Sequence, residues 1–258
     1  MAFLIQVLIA VSIEVGDDLG RGIFSQRGTV QGIDNARRVV AFEAAHGFWI
    51  EPAWQTFFLH THRILTFTVS YLDMAHLMNG MYVFGHIFVT LGVAIWVYFY
   101  RREHFRLVRN TVILTNALAL LIYETFPVAP PRMTTNLLFD HHPFHFTDTL
   151  YGILSGGKIV GTQLGYNEFS AMPSIHMAWA LIAAGAVVVL SRRLLPKLLA
   201  FYPALMLLAV VVTGNHYLLD AMASVPLVAL AFLASAAYEV SRGTLSIPWR
   251  RSLAPAQT

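Results

Sequence analysis

The chain of 258 residues contains no cysteine. That absence excludes a disulfide framework, an iron–sulfur cluster, a thiolate zinc site and a cysteine nucleophile. Charge is scarce as well: Asp, Glu, Lys and Arg together make up 12% of the residues, about half the share of soluble domains. A water-exposed globule of this length needs far more charged surface. The 17 basic residues against 14 acidic ones leave a formal charge of +3, too small and too dispersed for a nucleic-acid footprint. There is no internal repeat and no low-complexity tract, so the chain reads as one helical domain.

Apolar residues fill the space. They account for 57% of the chain, and the mean hydropathy is +0.60. The sequence is that of an integral membrane protein. Stretches of about 20 apolar residues suit spanning helices, and Met81–Tyr100, Thr111–Pro130, Ile175–Leu190, Leu198–Thr213 and Tyr217–Tyr238 meet or approach that length. Trp54–Met78 is weaker, because His60, His62, Arg63, Asp73 and His76 interrupt it; it either spans or lies in the interface. Asn35–Phe48 carries charged and apolar residues at helical spacing, the pattern of an interfacial amphipathic helix. Met1–Val15 is apolar without a basic leader or a small-x-small cleavage site, and reads as a retained membrane segment. The expected architecture is an all-α, polytopic membrane bundle of about six transmembrane helices with an N-terminal amphipathic helix. Residues 1–52 would form the N-terminal membrane segment and interfacial helix, 53–240 the main membrane domain and 241–258 a cytoplasmic tail.

Basic residues orient the bundle. Arg101, Arg102, Arg106 and Arg109 form one cluster, Arg192, Arg193 and Lys197 a second, and Arg242, Arg250 and Arg251 a third. All three fall on one side if each segment crosses once, and that side is then cytoplasmic. The long Pro131–Met172 loop, with only Arg132 and Lys158, faces outward.

Three strings at the outer helix ends carry chemistry. In Ala171-Met172-Pro173-Ser174-Ile175-His176, proline and serine mark a helix start, whose free amides can hold an anion such as phosphate while His176 exchanges a proton with it. In Thr213-Gly214-Asn215-His216-Tyr217-Leu218-Leu219-Asp220, the spacing of His216 and Asp220 puts both on one helix face. A carboxylate bonded to one imidazole nitrogen fixes the tautomer and leaves the other nitrogen as nucleophile or base. In Phe126-Pro127-Val128-Ala129-Pro130-Pro131-Arg132 the prolines end a helix and hold the arginine, whose planar fork suits phosphate oxygens, at the membrane surface.

At these residues the chain resembles the type 2 phosphatidic acid phosphatase superfamily. Pro173, Ser174 and His176 match its P-S-x-H signature, His216 and Asp220 its H-x-x-x-D, and Arg132 the arginine of its first motif. The A-P-P-R, A-M-P-S-x-H and T-G-N-H-Y-x-x-D strings look most like the inositolphosphotransferase branch, which includes inositol phosphorylceramide synthase. So does the upstream pattern Asn35-Ala36, Glu43, Glu51, Gln55, Asn79, Tyr82 and His86. The family's phosphatases usually carry a lysine where Thr125 stands, an arginine where Val210 stands and a glycine where Ile175 stands.

The resemblance implies phosphoryl transfer on a lipid phosphate or phosphodiester at the outer leaflet, with no metal or cofactor. His216 is the expected nucleophile, giving a phosphohistidine; His176 the acid and base; Asp220 the partner that orients His216. Arg132, Ser174 and Lys158 are the expected phosphate ligands, with Lys158 a replacement for the missing cations or a plain loop lysine. Tyr82, His86, Glu124 and Asn215 would line a headgroup cavity, buried interhelical hydrogen bonding being the alternative for the first three. The substrate would be a phospholipid, polyprenyl or sphingolipid phosphate, and the acceptor water or a sugar or inositol hydroxyl. Ser174 reads as an N-cap rather than a nucleophile. Arg132 has an alternative as a snorkelling anchor, and Asp140-His141-His142-Pro143-Phe144-His145 is better read as a solvated loop than a metal site. A non-enzymatic transport or lipid-binding protein using the same His/Arg cluster is the alternative from another class, and a catalytically lapsed scaffold a further one.

Overall fold

The computed structural model describes residues 29–64, 67–133, 146–150 and 169–244. Helix α1, Thr29–Ala45, is followed by the short α2, Glu51–Phe58, and a two-stranded antiparallel hairpin, His62–Ile64 with Phe67–Val69. A continuous helix then runs from Tyr71 to Tyr100: α3 (Tyr71–Gly80), a π-turn (Met81–Gly85) and α4 (His86–Tyr100). Helices α5 (Arg102–Thr125), α6 (Ile175–Leu190), α7 (Tyr202–Val212, entered through a 3₁₀ segment from Leu195) and α8 (Leu218–Ser241) complete the bundle.

Among the described residues, four helical runs are long and apolar enough to cross a bilayer: Tyr71–Tyr100, Arg102–Thr125, Leu195–Val212 and Leu218–Ser241. Helix α6 is apolar but has only 16 residues. It contacts α4, α5, α7 and α8, and Ala178, Ala180, Ala183 and Ala184 are buried along it. Small residues there allow close helix approach, the usual packing device where lipid offers no hydrophobic drive. The outside is oily: Phe88 on α4, Val189 on α6 and Leu233 on α8 are all well exposed.

The Trp54–Met78 segment is not one span. Its first part is α2, its middle the hairpin, and its last part the start of the Tyr71–Tyr100 helix. Asp73 explains the break, because it closes a capping box with Ser70 and starts the helix ten residues before the apolar run begins at Met81. His60 lies in the turn before the hairpin and His62 opens its first strand, against the carbonyls of Thr56 and Phe57 respectively. The Met1–Val15 segment lies outside the described residues.

Helix α1 has the expected two faces, with Arg37 and Arg38 exposed and Ala36, Val39 and Val40 buried. Its buried face packs on Val128, Ala129, Phe169, Ala171 and Tyr217, the segments that carry the three motifs. Glu43 is also on that face and fully buried, which an apolar face alone does not predict.

The clusters Arg101–Arg109 and Arg192–Arg193, with Arg242, lie at or beside the helix ends opposite the motifs. Arg101 Nε donates to the Leu190 carbonyl at 2.8 Å, joining the ends of α4 and α6, and Asn110 Nδ2 donates to Glu239 Oε1 at 2.7 Å, joining the start of α5 to the end of α8.

Candidate active site

The three motif segments are stitched by main-chain bonds. Val128 N donates to Phe169 O at 2.7 Å and Ala171 N to Val128 O at 3.2 Å, tying the proline segment to the one before α6. Arg132 N donates to Gly214 O at 2.9 Å, and Ser174 N to Asp220 O at 3.1 Å. Ser224 Oγ adds a bond to Ser174 O at 2.8 Å. Unpaired backbone groups are costly in a buried setting, so this lattice fixes the motifs to one another.

His176 lies in the first turn of α6. Ser174 is its N-cap and accepts from Met177 N. Pro173 therefore precedes the cap, after a cis peptide bond, rather than standing just inside the helix. Ser174 is fully buried and does not line the cleft; its side chain serves the helix start.

His216 lies before α8, not on it. Tyr217 is the N-cap and Asp220 the third helical residue, so His216 and Asp220 meet at a helix entrance instead of along a face. The closest partner of His216 Nδ1 is the Ala171 carbonyl at 2.7 Å; Asp220 Oδ2 is 3.6 Å away. A carbonyl only accepts, so Nδ1 carries the proton and the neutral ring keeps its free lone pair on Nε2. Asp220 Oδ2 accepts from Tyr217 N at 2.8 Å. The carboxylate thus caps the helix and supports His216 at longer range, while a backbone oxygen holds the tautomer.

The two imidazoles face one cleft, their ring centroids 5.9 Å apart. Arg132, buried in the 3₁₀ turn Pro131–Met133, donates from Nε to Asn215 Oδ1 at 2.9 Å. Asn215 is held in turn by Nδ2 donating to Thr213 Oγ1 at 2.8 Å. Asn215 therefore orients the arginine as well as lining the cleft. Gly214 has φ +69°, and a Cβ there would meet Gln55 Nε2 at 3.3 Å and Arg132 Cβ at 3.4 Å. Only glycine takes that backbone form cheaply so close to the arginine.

The cleft is partly open and is lined by Tyr82, Tyr123, Pro130 and Arg132 together with Ala171, His176, Asn215 and His216. Tyr82 stacks on His176 with centroids 4.0 Å apart, and His86 meets the same ring edge-on at 4.4 Å. Both come from the π-turn region, where one extra residue per turn re-aims side chains; His86 Nδ1 donates to Tyr82 O at 2.7 Å. Glu124 is exposed and is not part of the cleft wall. Lys158 and the Asp140–His145 stretch lie outside the described residues.

Tyr123 was not singled out by sequence. It lines the cleft and its hydroxyl donates to Pro173 O at 2.7 Å; its place just before the proline string was the available signal. Thr125 is exposed, its hydroxyl turned back to Leu121 O. Val210 is fully buried beside Tyr82 and Ala180, so an apolar contact stands where family phosphatases place an arginine. No group of three or more metal-ligating side chains occurs among the described residues.

The upstream polar residues also find their places. Gln55 donates to Thr147 O and Val212 O and accepts from Thr147 N. Asn79 exchanges two bonds with Thr149, and Asn35 donates to Pro127 O. They pin the segments around the cleft.

No curated protein and no solved structure matches the chain. A family model does, over residues 37–234, and it spans every motif above. Four apolar spans and that match mark an integral membrane protein with a phosphatase- or phosphotransferase-type activity on lipid phosphates; the chain belongs to the PAP2 superfamily.

Proposed function

We propose that the protein transfers a phosphoryl group from a lipid phosphate or phosphodiester through a phosphohistidine on His216, at the extracytoplasmic face. The observation that carries this is the pair of imidazoles 5.9 Å apart, with His216 Nδ1 tied to a carbonyl so that Nε2 is the reactive nitrogen. In the first half-reaction Nε2 attacks phosphorus as the ester P–O bond breaks, and His176 gives its proton to the departing oxygen. In the second, His176 takes a proton from the acceptor hydroxyl, whose oxygen attacks phosphorus and releases His216. Arg132, aimed by Asn215, holds the non-bridging oxygens as charge redistributes. Neither step needs a metal.

The extracytoplasmic assignment is supported by the gathering of arginines at the opposite helix ends. Transfer to an inositol or sugar hydroxyl, as in the inositolphosphotransferase branch, is supported by Thr125 and Val210, which take the positions of two phosphate-binding cations of the hydrolytic relatives. Lys158 is a further candidate for the phosphate.

The test is turnover by purified protein in detergent with EDTA, on a panel of lipid phosphates and phosphodiesters, with water and inositol offered together and products read by mass spectrometry. Headgroup or phosphate release lost in His176→Ala and His216→Ala is expected. Lipid binding or movement without turnover would favour the non-enzymatic reading.

A further inference from the structure

Glu43 on α1 and Glu51 at the start of α2 are both fully buried, and nothing in the reaction above uses them. Each serves the first turn of α8. Glu51 Oε1 accepts from Leu218 N at 2.6 Å, and Glu43 Oε1 accepts from Leu219 N at 2.7 Å. With Asp220 on Tyr217 N, three carboxyl groups take three successive amides immediately after His216.

The remaining oxygens are informative. Among the described residues, Glu43 Oε2 and Glu51 Oε2 are buried with no hydrogen-bond donor, and no basic side chain reaches either group. A helix N-terminus supplies about half a positive charge, too little to hold three buried carboxylates. One proton between the two glutamates satisfies both orphaned oxygens at once. A second proton would remove the charge that Glu51 offers the Leu218 amide.

We propose that Glu43 and Glu51 form an acid–carboxylate pair sharing one proton, carried by Glu43, and that this pair is the positioning element for His216 and Asp220. The inference rests on the phosphotransfer reading for its kinetic consequence only. With the proton in place, α1 and α2 clamp the turn that aims His216. Without it, two buried carboxylates face each other and the clamp is pushed apart. Burial, and next the charge of Glu51, push the Glu43 carboxyl up to about 9, so the clamp is intact at neutral pH. The other ionisable groups facing the pair are Asp220 on α8, which reinforces the shift, and His216 behind it at 3.6 Å. Arg37 and Arg38 lie on the exposed face of α1, Arg37 paired with Asp34; Arg132 is engaged with Asn215.

The test joins infrared titration of the full-length protein with a pH–rate profile. Wild type is expected to show a protonated-carboxyl C=O band at neutral pH that vanishes as pH passes about 9 and is missing in Glu43→Gln. Turnover should fall about tenfold per pH unit above that point. Glu43→Ala should lower kcat by roughly 10². Glu43→Gln keeps the acceptor for Leu219 N and imitates the acid, so it should restore turnover to within about threefold and lose the alkaline limb. Glu51→Gln, which removes the charge, should not rescue. A band unaffected by Glu43→Gln, or an unchanged alkaline limb in that variant, would overturn the proposal. Should wild type turn over no lipid phosphate, the phosphotransfer reading fails while the infrared titration still decides the proton.

Discussion

The rings of Tyr82 and His176 lie face to face, 4.0 Å between centroids and 22° from parallel. Tyr82 reaches that position because the helix widens into a π-turn at Met81–Gly85, and the stack leaves His176 little freedom to swing away from His216. Tyr82→Ala is expected to lower kcat by up to about 10², the scale of a small misplacement of a reacting group, with KM moving less. Tyr82→Phe, which keeps the ring face, should retain more activity than the alanine variant. Steady-state kinetics on the best lipid donor separates the two.

Asp220 sits farther from His216 Nδ1 than the Ala171 carbonyl does, 3.6 Å against 2.7 Å. Loss of a carboxylate that alone sets the tautomer costs about 10⁴ in kcat. Here Asp220→Asn keeps an oxygen for the Tyr217 amide, and the carbonyl still orients the imidazole, so the expected loss is on the order of 10². A loss as deep as that of His216→Ala would show that the carboxylate, and not the carbonyl, governs the ring.

Asn215 aims Arg132 through Nε. Asn215→Ala leaves a buried guanidinium N–H without its acceptor, a cost of about 1–3 kcal/mol, and should lower kcat/KM accordingly. Arg132→Lys should do worse, since a point charge does not replace the fork.

Gly214→Ala is expected to destabilise by about 1–2 kcal/mol, the cost of a left-handed backbone for a residue with a Cβ. It should also reduce activity, because the new methyl falls 3.4 Å from Arg132 Cβ. Thermal unfolding in detergent measures the first effect and turnover the second.

Stability should carry the Glu43 proton as well. The carboxyl has an ordinary value of 4.5 when solvated and about 9 in the fold, so the folded state holds an extra proton between those limits. Its contribution is complete below 4.5 and declines as pH rises, until it is lost as pH passes about 9. Unfolding midpoints across that range should slope downward in wild type and flatten in Glu43→Gln.

Much of this was legible in the chain. The apolar runs locate five helices, and the three motif strings name His176, His216 and Arg132, which line one cleft, with Asp220 behind His216. What pattern alone missed has physical causes. Asp73 belongs to a capping box, so the hydrophobic window began ten residues late. Fourfold spacing suggested a helical face for His216 and Asp220, but the helix starts between them. Glu124, near the cleft in sequence, is turned outward by the phase of α5. No residue string announces that a main-chain oxygen, that of Ala171, will be the partner of His216.

That last contact sets what mutation can and cannot reach. A side chain that steers a reactive ring can be deleted by one codon change; the Ala171 oxygen is supplied whatever amino acid occupies the position. The ring's aim is therefore inherited in part from the path of the strand-like segment joined to Val128, and drift at this contact enters through substitutions that reroute that backbone, such as those at the proline-rich stretch beside it.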